Sequence, residues 1–183
     1  MRGRGPLSSQ IGMQNQGTDL SSMLIRNAES ADDEAIDRIL KAAFETDAEA
    51  RLTQALRASG DVRLELVAEQ NGIIYGTVLL SILVSPKSCL GLGPIAVLPE
   101  EQTKGIGNAL MHESVALAKK QNWRGIFLLG NPAYYSRFGF SVETAAPFKS
   151  AFPAAYMQAL FVGNDRPGDD ETEMIYAKPF YDL

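Results

Sequence analysis

Residues 92–108 read LGPIAVLPEEQTKGIGN: an apolar run closed by Pro99, then Gln102-Thr103-Lys104-Gly105-Ile106-Gly107. The run has the length and composition of a buried strand, and helical spacing resumes after the glycines, so they lie at a strand-to-helix junction. Such a junction presents the unpaired N–H groups of a first helical turn together with the positive end of the helix dipole. Glycines at 105 and 107 remove side chains where an anion approaches, and Gln102 and Lys104 add donors, which makes a cradle for a phosphate or pyrophosphate. The competing reading is a glycine-containing loop that merely starts a helix. No Gly-Lys-Ser/Thr is present, which excludes a Walker-type triphosphate loop. Residues Gly91 to Ala96 match the dinucleotide pattern G-x-G-x-x-A in letters, but Pro94 and the run to Leu98 continue a strand where that pattern requires a helix.

Downstream, RGIFLLG reads as a short buried strand and leads into GNPAYYSRFGF at residues 130–140. Asn131 suits an N-cap, Pro132 the first helical position and Gly139 the left-handed residue after the last turn, so a helix of under two turns is pinned at both ends. Tyr134 and Tyr135 then stand just beyond a strand end, where sheets with flanking helices hold ligands; the alternative is that both rings are core packing. Upstream, MLIRNA is a first strand and Ser30 caps a helix with acids in its opening turn. A second helix spans about 47–58. VRLELVAEQ and IIYGTVLLSILV form a hairpin about Asn71-Gly72. Late strands are expected near AYMQALFVG and EMIYAK, with the acidic loop between them solvated. The order β-α-α-β-β-β-α-β-α-β-β predicts an α+β fold with a mixed, mostly antiparallel sheet rather than a doubly wound one.

The chain has 183 residues, enough for one domain with a sizeable core. A formal charge of −5 argues against tracking nucleic-acid phosphates. The single cysteine, Cys89, and the single histidine, His112, leave no metal cluster and no internal disulfide, which fits a reducing cytoplasm. No stretch is apolar for long enough to span a membrane, and no apolar leader stands at the N-terminus. Residues 1–22, rich in Gly, Ser, Gln and Asn, read as a disordered tail ahead of one domain at 23–183. His112 falls on an exposed helix face, and nothing near Cys89 marks an activated thiolate.

The strand LGPIAVLP, Q-x-x-G-x-G opening a long helix, and A-x-Y-Y-x-R-F-G-F after the next strand together resemble the GNAT superfamily of acetyl-CoA-dependent N-acetyltransferases, over residues 91–144. The resemblance implies a three-layer fold, a central sheet between helices. It also implies that Gln102, Lys104, Gly105, Ile106, Gly107 and Asn108 hold the coenzyme A pyrophosphate. The backbone of Ile95, Ala96 and Val97 in a bulged strand would pair with the pantetheine and offer an N–H to the thioester carbonyl, and Asn131 would reach the pantetheine arm. Tyr135, four positions before Gly139, aligns with the family's coenzyme-contacting general acid. A phenol of pKa about 10 can protonate a departing thiolate of pKa about 8.5. Freeing an amine of pKa about 10.4 at pH 7 costs about 4.6 kcal/mol and calls for a base or a proton-carrying water chain. Glu65, Glu69 and Glu49 are the candidate bases, while Gly93 and Pro94 stand where many relatives carry an acid. The implied activity is direct attack of a primary amine, on a small molecule or a peptide, on acetyl-CoA without a metal, in a monomer or homodimer. The alternatives are a catalytically silent acyl-CoA-binding module and a transferase of a larger acyl group.

Overall fold

A computed structural model describes residues 20–168 and 170–182. Six strands form one sheet in the order β1 (Leu24–Asn27), β2 (Val62–Gln70), β3 (Ile73–Ile82), β4 (Cys89–Val97), β5 (Gly125–Leu129) and β6 (Met157–Phe161). Every neighbouring pair is antiparallel except β4 and β5, which α3 (Ile106–Lys120) connects as a parallel pair. The β2–β3 turn has Asn71 and Gly72 at φ 53 and 78, the geometry that Asn-Gly favours in a two-residue hairpin.

Alternation along the strands sorts the core onto two faces. Leu64, Leu66, Ala68, Val78 and Leu80 pack with Leu110 and Met111 of α3. On the opposite face Val67 and Ile74 meet Ile36, Ile39 and Leu40 of α1 (Asp33–Ala43), and Leu79 meets Leu52 and Leu56 of α2 (Ala48–Ser59). The 11 residues of α1 fall short of the roughly 12–15 at which an isolated helix becomes marginally stable, so burial of its apolar stripe holds it in place. The expected layers of helix, sheet and helix are therefore present. Among the described residues no helix is long and apolar enough to cross a membrane.

Three local expectations change. The segment EMIYAK does not lengthen the sheet: Glu173 and Ile175 make only isolated bridges to Lys149 and Ser85. Its alternation reports burial of Met174 and Tyr176 in an aromatic cluster with Phe127, and burial does not require a ladder. Ser30 does not cap α1 directly. A turn at Ser30–Asp32 precedes the helix, and the Glu29 N–H donates to the Asp32 carboxylate at 2.8 Å. The acidic loop is tied in by Glu171, which pairs with Arg124 at 2.7 Å and accepts the Lys87 N–H. Of the expected tail, residues 1–19 lie outside the described residues. Leu20–Ser22 form one turn, joined to β2 by a hydrogen bond from the Gln70 side chain to Ser22.

Candidate functional site

The ladder between β4 and β5 runs from Cys89 and Gly125 to Leu92 and Leu128, and then the two strands part. At that point β4 bulges. Leu92 faces Leu80 and Ile95 faces Val78, so Gly93 and Pro94 together oppose Leu79. Gly93 has φ 151, a conformation that a residue with a side chain rarely adopts, and Pro94 has no N–H to give to a ladder. Beyond the bulge Ile95, Ala96 and Val97 pair with β3 and have no strand on their other side among the described residues.

That free edge forms one wall of a cavity of about 770 Å³. A second wall is the cradle: Gln102, Gly105, Ile106, Gly107 and Asn108 all line it. Gly105, at φ 92, is the residue before the first turn of α3 and carries no side-chain acceptor, which leaves the first-turn amides as donors. The Gln102 side chain donates to the Val97 carbonyl at 3.2 Å and ties the cradle to the strand edge. Lys104 does not line the cavity, and its amine pairs with Glu101 at 2.9 Å.

The third wall comes from the end of β5 and from α4 (Pro132–Tyr135) with the turn at Ser136–Phe138. Asn131 caps α4 by accepting the Ala133 N–H at 3.0 Å. Tyr135 lays its ring against Gly130, where an added Cβ would stand 2.2 Å from the ring. The Tyr135 hydroxyl makes no hydrogen bond among the described residues, and burial pushes its pKa up to about 12, with Tyr134 adding to the shift. Gln158, fully buried on β6, donates to the Gly130 carbonyl at 3.0 Å and so fixes the shelf on which that ring rests.

The candidate bases are not brought to this place. Glu65 is clasped by Arg57 at 2.6 and 2.9 Å, Glu69 by Arg26 at 2.7 Å, and neither they nor Glu49 line the cavity. His112 is exposed with its ring edge against Phe138, and burial pushes the Cys89 thiol up to about 12, so neither is poised for chemistry.

Other residues at or beside the cavity were given no role by the sequence reading. Tyr134, which the sequence left between a ligand-side and a packing place and gave no role, directs its hydroxyl to Asn108 Oδ1 at 3.4 Å and to within 3.0 Å of where a Cβ on Gly107 would stand. Arg137 lies over the Tyr134 ring at 4.8 Å, a neighbourhood that their i,i+3 spacing foreshadows. Phe44, at the end of α1, lines the cavity, and Leu20, outside that lining, sets its side chain against Gly105; neither carries a local sequence signal for its place.

An open sheet splayed at a bulge, with a glycine cradle opposite, defines a class, and comparison with known proteins agrees. The acetyltransferase (GNAT) domain model matches residues 63–142. The chain belongs to the GNAT acetyltransferase family. The uncharacterized N-acetyltransferase YhbS of Escherichia coli K12 is 33% identical over 135 residues, covering 72% of this chain and 81% of the relative. The crystal structure of Escherichia coli YhbS in complex with CoA superposes with a TM-score of 0.82 at 28% identity, over 87% of this chain and 92% of that one. A GNAT family acetyltransferase from Brucella melitensis in complex with acetyl-CoA gives 0.73 at 33% identity, over 86% and 97%.

Proposed function

We propose that this chain transfers the acetyl group of acetyl-CoA to a primary amine of a small molecule or peptide by direct attack. One observation carries the reading: among the described residues, a strand edge with no neighbour, the first-turn amides of α3 and a phenol whose hydroxyl makes no hydrogen bond converge on one cavity. The complexes of the two relatives with CoA and acetyl-CoA support the choice of donor. The cradle fits a pyrophosphate, since Gly107 lines the cavity and a side chain there would crowd the Tyr134 hydroxyl.

When bound, acetyl-CoA supplies a thioester carbonyl open to an amine. The residues divide the remaining work. Amides of Gly105, Ile106, Gly107 and Asn108 hold the diphosphate with the dipole of α3 behind them, and the Asn131 side chain holds the pantetheine arm. The edge at Ile95, Ala96 and Val97 pairs with pantetheine amides as an added strand does, and an N–H there faces the developing oxyanion. Tyr135 gives its proton to the departing sulfur. Glu101 is the one carboxylate lining the cavity among the described residues, and it holds Lys104, so the amine's proton passes to water.

A free-thiol assay with acetyl-CoA and a panel of amines tests this reading. Thiol release that requires both acetyl-CoA and one of the amines is the expected result. Binding of acetyl-CoA without release by any amine would convert the reading to a silent binding module.

A further inference from the structure

Among the described residues Arg137 is the only lysine or arginine lining the cavity, and it forms no ion pair with any of them. The guanidinium is held by stacking on Tyr134 at 4.8 Å, a contact that leaves its N–H groups directed to other partners. The Tyr134 ring is anchored in turn at the cradle, with its hydroxyl beside Gly107 and Asn108. Tyr135 turns instead to Gly130, at the mouth of the splay. The two rings meet edge to face at 4.9 Å, and Arg137 stands on the Tyr134 ring, whose hydroxyl reaches the cradle.

We propose that Arg137, carried on the Tyr134 ring, forms a subsite for the 3′-phosphate of coenzyme A; this rests on the coenzyme reading above. The 3′-phosphate and the 5′-diphosphate hang from the same ribose, so a diphosphate at Gly105 and Gly107 delivers a second anion beside the cradle. A guanidinium meets a phosphate in forked hydrogen bonds that an ammonium does not match. The neighbouring cation, Lys104, is already paired with Glu101. On a chain of net charge −5, an uncompensated cation at that point offsets the repulsion a polyanionic ligand meets.

Titration calorimetry of the full chain with CoA and with 3′-dephospho-CoA, at fixed ionic strength, tests the assignment. Wild type is expected to bind CoA about tenfold more tightly than dephospho-CoA, the lower end for a charge-assisted contact in partial solvent. Arg137→Gln should bring CoA down to the dephospho-CoA level and leave dephospho-CoA unchanged, a ratio that a merely structural role would not move. Arg137→Lys should keep part of the preference. The wild-type preference should also narrow as salt is raised, which tests the assignment without any variant. A preference that survives in Arg137→Gln, equal weakening of both ligands, or no wild-type preference at all would overturn the subsite while leaving coenzyme binding standing. Failure of wild type to bind either ligand would overturn the coenzyme reading itself.

Discussion

The ring of Tyr135 occupies the space that a side chain on Gly130 would fill, with its Cε2 2.2 Å from that Cβ position. Gly130 is therefore the seat of a ring that lines the cavity, and Gln158 holds the seat by donating to the Gly130 carbonyl. The proposed acid role makes Tyr135→Phe a clean test, because the ring stays and only the hydroxyl goes. Single-turnover rates should fall by roughly 10²–10⁴-fold with coenzyme affinity nearly unchanged. Since burial lifts the hydroxyl's pKa to about 12, the proton stays on the oxygen as pH rises, and Tyr135 should add no alkaline limb to the rate profile below about pH 11. Equal rates for the variant and wild type would leave water as the proton source.

Gly107→Val separates binding from folding. Gly107 sits in the first turn of α3 with no positive φ, so a branched residue can enter the helix, but its Cβ would press on the Tyr134 hydroxyl at 3.0 Å and fill the cradle. Acetyl-CoA should raise the melting temperature of wild type, as any ligand of the folded state does, and should fail to raise that of the variant. A folded variant with a normal shift would put the diphosphate elsewhere.

The two halves of the site differed in how openly the sequence displayed them, and the difference is physical. The cradle at Gln102 to Gly107 and the helix pinned by Asn131, Pro132 and Gly139 are built from local backbone rules, so each shows within a few residues. Side-chain destinations are set by tertiary packing. Glu69 was read as a free carboxylate because Arg26, its partner, stands 43 residues away. Tyr134 and Tyr135 are adjacent letters whose rings meet edge to face at 4.9 Å, and only the tertiary neighbours, Gly130 for one and Gly107 with Asn108 for the other, tell them apart. Leu20 was assigned to a tail although it packs on Gly105, since a lone leucine among polar residues shows nothing of what it will touch.

The ion pairs of Glu65 and Glu69 predict structural rather than chemical phenotypes. Glu65→Gln loosens a clasp with Arg57 that is only 11% exposed on the glutamate side, and should lower stability by about 1–2 kcal/mol. Neither Glu65→Gln nor Glu69→Gln should change kcat or the acid limb of the pH–rate profile by more than about twofold. Chemical denaturation and the rate profile, measured on the same preparations, check both statements. Loss of the acid limb in either variant would show that one of these carboxylates reaches the acceptor amine after all.

Asp32 ties the start of the helical layer to β1, and its titration should be visible in stability. Arg26 donates to both of its carboxylate oxygens, at 2.6 and 3.0 Å, and this holds the carboxyl below the usual aspartate range. Burial pulls the other way, and the Glu29 N–H adds to the lowering. A depressed pKa means that the unfolded chain takes up the proton first as pH falls. The contribution is therefore complete above the ordinary aspartate value of about 3.9 and is lost as pH drops through the lower folded value. Asp32→Asn should cost about 2 kcal/mol at pH 7, less than for a fully buried pair because Arg26 keeps Glu69 and is 27% exposed. The gap between wild type and variant in urea denaturation should hold from pH 7 to about 5 and shrink progressively below pH 4. A gap independent of pH down to 2 would assign the cost to lost shape at the helix start rather than to the carboxylate's charge.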